Sequence, residues 1–184
     1  MEIEKAIEII LEEDRKVMVK VDKKSVEKFI KKILIAKRIF LAGEGRSGLI
    51  AKTFAMRLMQ LGFETYVAGE TITPGIGRGD LLIACSGSGE TEVTFHMAEV
   101  ARNYGAKVVT FTANRNSTIV NVSDLVVGVP VPFKGKFKRN GLEQIGGSLF
   151  EQGLFLMMEA VVLILMRRLK KSPHELWKRH TKLE

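Results

Sequence analysis

Gly79-Asp80-Leu81-Leu82-Ile83-Ala84-Cys85-Ser86-Gly87-Ser88-Gly89-Glu90-Thr91 is the stretch that decides the fold. Leu81–Cys85 is a short apolar run without polar alternation, as expected of a parallel strand covered on both faces. A turn rich in serine and glycine follows, and it opens a helical pattern over Glu92–Tyr104. Strand, glycine-rich turn and helix in that order form the repeating unit of an α/β fold. Working outward, four more β-rich runs stand at Arg38–Ala42, Glu64–Ala68, Lys107–Thr112 and Leu125–Val129. Helical patterns fill Gly48–Leu61 and Leu149–Leu169. Ahead of the first strand, Ile3, Ile7, Ile10 and Leu11 recur at helical spacing, as do Val26, Phe29, Ile30, Ile33 and Leu34.

These alternations predict an α/β doubly wound sandwich with right-handed crossovers. No repeat, low-complexity tract or linker interrupts the chain, so we expect a single domain over residues 1–184. Within it, 1–37 are N-terminal helices, 38–169 the core and 170–184 a C-terminal helix or tail. In such sheets ligands bind beyond the carboxyl ends of the strands, where the strand order switches direction.

The chain has 184 residues, 46% hydrophobic and 27% charged, the balance of a folded globular protein. Its one cysteine excludes an internal disulfide framework and fits a reducing compartment. Charges at Glu2, Glu4 and Lys5 stand where a signal peptide needs an apolar run. The most apolar run, Leu154–Met166, contains Glu159 and is too short for a bilayer, so we expect a buried or subunit-interface helix. The expectation is a cytoplasmic protein with no membrane partner. A net charge of +8 invites a nucleic-acid reading. Lys and Arg are spread along the helical segments, however, so a Lys-rich surface with an anionic substrate is the simpler reading. We expect no nucleic-acid partner.

Two glycine-rich turns fall at strand ends: Gly43-Glu44-Gly45-Arg46-Ser47-Gly48, and Ser86-Gly87-Ser88-Gly89-Glu90-Thr91. Each precedes a helix, where backbone N–H groups and the positive end of the helix dipole favour an anion. Glycines let the backbone approach closely, and hydroxyls at 86, 88 and 91 can donate to one small anion. The first turn also matches the dinucleotide fingerprint Gly-x-Gly-x-x-Gly, with Glu70 about where a ribose-binding acid would sit. The hydroxyls of the second turn have no role in that fingerprint and suit a terminal phosphate. Plain helix capping by Ser88 and Thr91 is the alternative for the serines.

The Ser86–Thr91 loop resembles the phosphate loop of the sugar isomerase (SIS) domain family. Further blocks carry the resemblance along nearly the whole chain: 43–48, Phe-Ala-Met-Arg-Leu-Met at 54–59, Gly-Glu-Thr-Ile-Thr-Pro at 69–74, Gly-Asp-Leu-Leu-Ile at 79–83, Ser-Leu-Phe-Glu-Gln at 148–152 and Arg-His-Thr-Lys-Leu-Glu at 179–184. The resemblance implies a flavodoxin-like three-layer α/β/α sandwich with a five-stranded parallel sheet, no metal or organic cofactor, and a homotetramer. It implies a phosphosugar substrate, with exchange between a 3-hexulose 6-phosphate and fructose 6-phosphate through a 2,3-enediol. Pentose or heptulose phosphates, or a sensor role without catalysis, are the alternatives. A synthase making the 3-hexulose phosphate is the implied pathway neighbour.

By the same resemblance Ser47, Ser86, Ser88 and Thr91 contact the phosphate, helped by Gly45, Gly87 and Gly89, with Arg46 a further candidate. Glu151 matches the proposed general base, and His180 a histidine at the active site of its own or a neighbouring subunit. Spacing alone reads Ser148-x-x-Glu151 as a capping box. Two departures stand out: Ile145-Gly146-Gly147-Ser148 before Glu151, and Gln60 where the family resemblance leads us to expect His. Cys85 reads as a small core residue. His96 and His174 carry no assigned role, and Thr71 and Thr73 are weaker candidates for sugar or subunit contacts. Phe133–Arg139 interleaves bases with aromatics and is read as a solvated loop or basic lid.

Overall fold

In the computed structural model, β3 (Leu81–Cys85) is the central strand of a five-stranded parallel sheet of order β2-β1-β3-β4-β5. The others are β1 (Ile39–Gly43), β2 (Thr65–Val67), β4 (Lys107–Thr112) and β5 (Leu125–Gly128). The structure describes residues 1–131, 143–145, 147–180 and 182. The helices are α1 (Ile3–Met18), α2 (Lys23–Ile35), α3 (Gly45–Leu61), α4 (Glu92–Asn103), α5 (Ser148–Arg168) and α6 (Pro173–Lys178), with a 3-10 turn at Thr118–Val122.

Alternation along the strands builds the layers. Ile39, Leu41, Leu81, Ile83, Cys85, Val109 and Phe111 point to one face and join Phe29, Phe54, Leu58 and Met157 in the larger core. Phe40, Ala42, Leu82, Ala84 and Val108 point to the other, against Ala98, Ala101 and Ile119. A helix therefore covers both faces, which is why the strands read as continuous apolar runs. Strand order runs from β1 outward to β2 but from β3 in the opposite direction to β4. Right-handed crossovers then place α3 and α4 on opposite faces of the sheet.

Helix α5 extends beyond the apolar run read from the sequence. Its length and composition alone would suffice for a bilayer crossing, yet half of its apolar window is buried. It packs on α1, α2 and α3 as a core helix. Helix α3 starts at Gly45, three residues before the Gly48 expected from periodicity, so Arg46 and Ser47 ride on its first turn. Early α-residues without apolar periodicity are invisible to a pattern search.

The switch in strand order lies between β1 and β3. Gly43 and Cys85, their last residues, are register partners. Both glycine-rich turns therefore leave the sheet side by side at its carboxyl edge.

Candidate active site

The Ser86–Thr91 loop is tied from within. Ser86 Oγ accepts from the Gly89 N–H (3.0 Å) and pairs with Thr91 Oγ1 (2.9 Å), while Ser88 Oγ accepts from the Glu90 N–H (3.1 Å). Thr91 occupies the cap position of α4 without a side-chain cap bond, so the capping alternative does not hold for it. Gly89 has φ +70°, and a Cβ there would stand 1.9 Å from Ser117 Oγ. Only glycine satisfies both the turn and that contact.

A second segment braces the loop from outside. Thr112 Oγ1 donates to the Gly87 carbonyl (3.2 Å) and Asn114 Nδ2 to the Ser88 carbonyl (3.2 Å). Thr118 donates to the Glu90 carboxylate through both its N–H (3.0 Å) and its hydroxyl (2.8 Å). The sequence reading did not single out these residues. Their signal was a polar run, Thr112–Thr118, directly after the buried strand β4. With its shape fixed before any ligand arrives, the loop loses little conformational freedom on binding an anion.

Beside it, Gly43 and Gly48 approach so closely that a Cβ on Gly48 would lie 2.3 Å from the Gly43 carbonyl oxygen. That contact seats the first turn of α3, with half-buried Ser47 on it, against the end of β1. Gly45 takes φ +57° to make the entry. Helices α3, α4 and α5 all begin without a side-chain cap bond, whereas α2 and α6, away from this edge, are capped by Asp22 and by a Ser172–Glu175 capping box. Helix α1, at the start of the chain, is also uncapped. The first-turn N–H groups of α3 and α4, beside the two loops, thus lack side-chain acceptors and are available to an anion.

Helix α5 adds the acid. Phe150 packs on Gly87, where a Cβ would come within 3.0 Å of its ring, and this docks α5 against the Ser86–Thr91 loop. Glu151 follows. Its carboxylate pairs with the guanidinium of Arg46, and its side chain is 16% exposed against 67% for Arg46. The cap of α5 is Gly147, with φ +99°, so the capping box expected of Ser148 and Glu151 does not form. Freed from that duty, Glu151 faces the α3 turn. Through Phe150 on Gly87 and Glu151 on Arg46, the start of α5 thus meets both glycine-rich turns at one edge of the sheet.

His180 lies elsewhere in the chain. Its ring stacks on Trp177 at 4.7 Å between centroids, and the neighbouring Arg179 rests over Gly62 at the far end of α3. A helix of that length spans roughly 25 Å. One chain therefore does not bring His180 to Glu151. Gln60 is buried near the same far end, accepting from Arg57 (3.0 Å). His96 is exposed on α4, and His174 is in the first turn of α6. Cys85 is fully buried, and burial pushes its thiol up to about 12, so it is an inert core residue. Glu70 is paired with Lys52 (2.6 Å) on the surface, and Thr73 donates to the Val67 carbonyl. Among the described residues no group of three or more His, Cys, Asp or Glu is placed to hold a metal. Phe133–Arg139 and Gly146 lie outside the described residues.

Comparison with known proteins agrees with this geometry. The SIS domain pattern matches residues 32–134. A 3-hexulose-6-phosphate isomerase of Mycobacterium gastri is 42% identical over 165 residues, covering 90% of this chain and 83% of that protein. One of Bacillus subtilis is 42% identical over 156 residues, covering 83% of each. A Methanococcus jannaschii crystal structure, described as inferring a 3-hexulose-6-phosphate isomerase function, superposes with TM-score 0.85 at 34% identity, covering 98% of this chain and 99% of that one. With the predicted sheet and the serine loop both in place, the chain belongs to the SIS domain family, among its phosphosugar isomerases.

Proposed function

We propose that the protein interconverts D-arabino-3-hexulose 6-phosphate and D-fructose 6-phosphate. The observation that carries this is the placing of Glu151 beside a braced hydroxyl loop, in a chain about 40% identical to isomerases named for the former sugar. The Ser86–Thr91 loop and the first turns of α3 and α4 hold the phosphate. Glu151 takes the proton from C2 of the 3-ketose, and the C3 carbonyl oxygen gains a proton to give the 2,3-enediol. Returning the carbon-bound proton to C3, with loss of the O2 proton, leaves the ketone at C2. One base serves both carbons because they are adjacent. Arg46, ion-paired with Glu151 and largely exposed, is placed to follow the negative charge as it moves to the enediolate oxygens. Anchoring the phosphate fixes which carbons meet Glu151, so remote binding energy contributes to orientation.

Ser86→Ala tests the cradle. Ser86 is 2% exposed and holds both Gly89 and Thr91, so its loss removes a donor and loosens the loop. We expect KM to rise about tenfold with a smaller change in kcat, as for one hydrogen bond to a charged group. An unchanged KM places the phosphate elsewhere.

The assembly we propose is a cytoplasmic homotetramer. Ile3 and Ile7 on α1, Leu49 and Met56 on α3 and Leu163 on α5 are exposed apolar residues without cover in one chain. Such surface on three helices suits a permanent subunit contact. Association would also give His180 a route to a neighbour's Glu151. Sedimentation velocity should return a tetramer; a monomer at micromolar concentration removes this assembly. The enzyme making the 3-hexulose phosphate is the proposed pathway neighbour, within ribulose monophosphate chemistry.

A further inference from the structure

A groove of about 620 Å³ runs from Arg46 and Glu151 between α1, α3 and α5, and none of its lining residues belongs to the Ser86–Thr91 loop. Its walls are mainly apolar, with Ile10, Leu11 and Phe155 among them. Asp14 of α1 stands in this wall, only 8% exposed, and its Oδ1 has no hydrogen-bond partner among the described residues. Gln152, next to Glu151, lines the same groove with a buried Oε1 that is likewise unpartnered. A buried carboxyl oxygen without a donor is costly, and two such buried acceptors on residues that line one groove call for a ligand that donates. Burial, and then the charge of neighbouring Glu13, push the Asp14 carboxyl above its ordinary value, consistent with a site that lacks a cation.

The order of groups along the site matches the order of atoms along the sugar. The loop against Phe150 takes the phosphate on C6, and Glu151 meets C2 and C3. The groove beyond Glu151 receives C1, which in both hexuloses carries a hydroxyl. We propose that Asp14 accepts a hydrogen bond from this terminal hydroxymethyl group, with Gln152 as second acceptor, so that the α1 wall selects sugars long enough to reach it. This assignment rests on the isomerase reading above. In a desolvated apolar wall, a substrate lacking the hydroxyl leaves the acceptor unpaired and is discriminated against.

The test compares kcat/KM for D-arabino-3-hexulose 6-phosphate and its 1-deoxy analogue in wild type, Asp14→Ala and Asp14→Asn. Wild type should prefer the hydroxylated sugar by about 10- to 100-fold. Asp14→Ala should treat the two sugars alike, and Asp14→Asn, which keeps an acceptor oxygen, should retain part of the preference. A merely structural role for Asp14 would lower both rates together and leave the preference intact. If Asp14→Ala fails to fold, the reduced preference of Asp14→Asn decides. An undiminished preference in the folded variants overturns the assignment and leaves the isomerase reading standing. Failure of wild type to turn over either sugar overturns that reading, and the role of Asp14 with it.

Discussion

Glu151→Gln should lower kcat by about 10²- to 10⁴-fold while changing KM little, the loss typical of removing a general base. Glutamine keeps the shape and a hydrogen-bonding oxygen, but it cannot take the proton from C2. In the proposed site the phosphate is held chiefly by Ser86, Ser88 and Thr91, none of which Glu151 bonds; its link to the Gly45–Ser47 turn is the pair with Arg46, which the glutamine oxygen can still accept from. Stability should hardly move. The carboxylate caps nothing, since α5 starts from Gly147, and its partner Arg46 is two-thirds exposed. An ion pair whose arginine stays in water contributes modestly to folding. A steady-state assay with a parallel melting curve checks both halves. A large drop in melting temperature would return Glu151 to a structural role.

Gly48→Ala should produce the largest structural effect. The new Cβ would be placed 2.3 Å from the Gly43 carbonyl oxygen and 2.9 Å from its carbon, both backbone atoms that cannot rotate away. Either α3 lifts off β1 or the end of β1 bends. Overpacking of this kind costs about 2–4 kcal/mol, which for a chain of this size lowers the melting temperature by roughly 5–15 °C. Activity should fall beyond what the lost stability explains. Arg46 and Ser47 ride on the displaced turn, and Gly43 neighbours Cys85, after which the Ser86–Thr91 loop begins. Differential scanning calorimetry and a steady-state assay run well below the variant's melting transition measure the two. A variant that melts as wild type would show that α3 tolerates displacement at this point.

The Gly48 contact also explains why the first turn was ambiguous as a motif. A strand that turns sharply into a closely packed helix needs glycine at the same places whether it serves a dinucleotide or a monophosphate. The hydroxyls of 86–91, not the glycines of 43–48, separated the two. Much of the fold was legible because each strand is buried on both faces. The limits of β3 and β4 matched their apolar runs, and the helix after β3 followed from periodicity. β2 is shorter than expected, Thr65–Val67, although the Glu64 carbonyl and the Ala68 N–H at its two ends still bond to β1.

What stayed illegible was non-local. Arg46 and Glu151 are far apart in sequence, and nothing in either neighbourhood announces the pair. Local reading of Ser148 and Glu151 favoured a capping box, yet Gly147 holds the cap and tertiary geometry gives Glu151 to Arg46. The bracing of the loop by Thr112, Asn114 and Thr118 likewise depends on β3 and β4 being neighbours. Nothing in the sequence around Asp14 singles it out. Only the packing of α1 on α5 shows that its carboxyl is buried in the wall of the groove that Glu151 also lines.

The most direct test of the central claim is the conversion of D-arabino-3-hexulose 6-phosphate to fructose 6-phosphate by wild type and Glu151→Gln protein, followed side by side. Turnover by wild type, with the variant slowed by at least about 10²-fold and still folded, is the result this account predicts. No conversion by folded wild-type protein would contradict it and turn attention to pentose and heptulose phosphates, or to a sensor that binds the sugar without changing it.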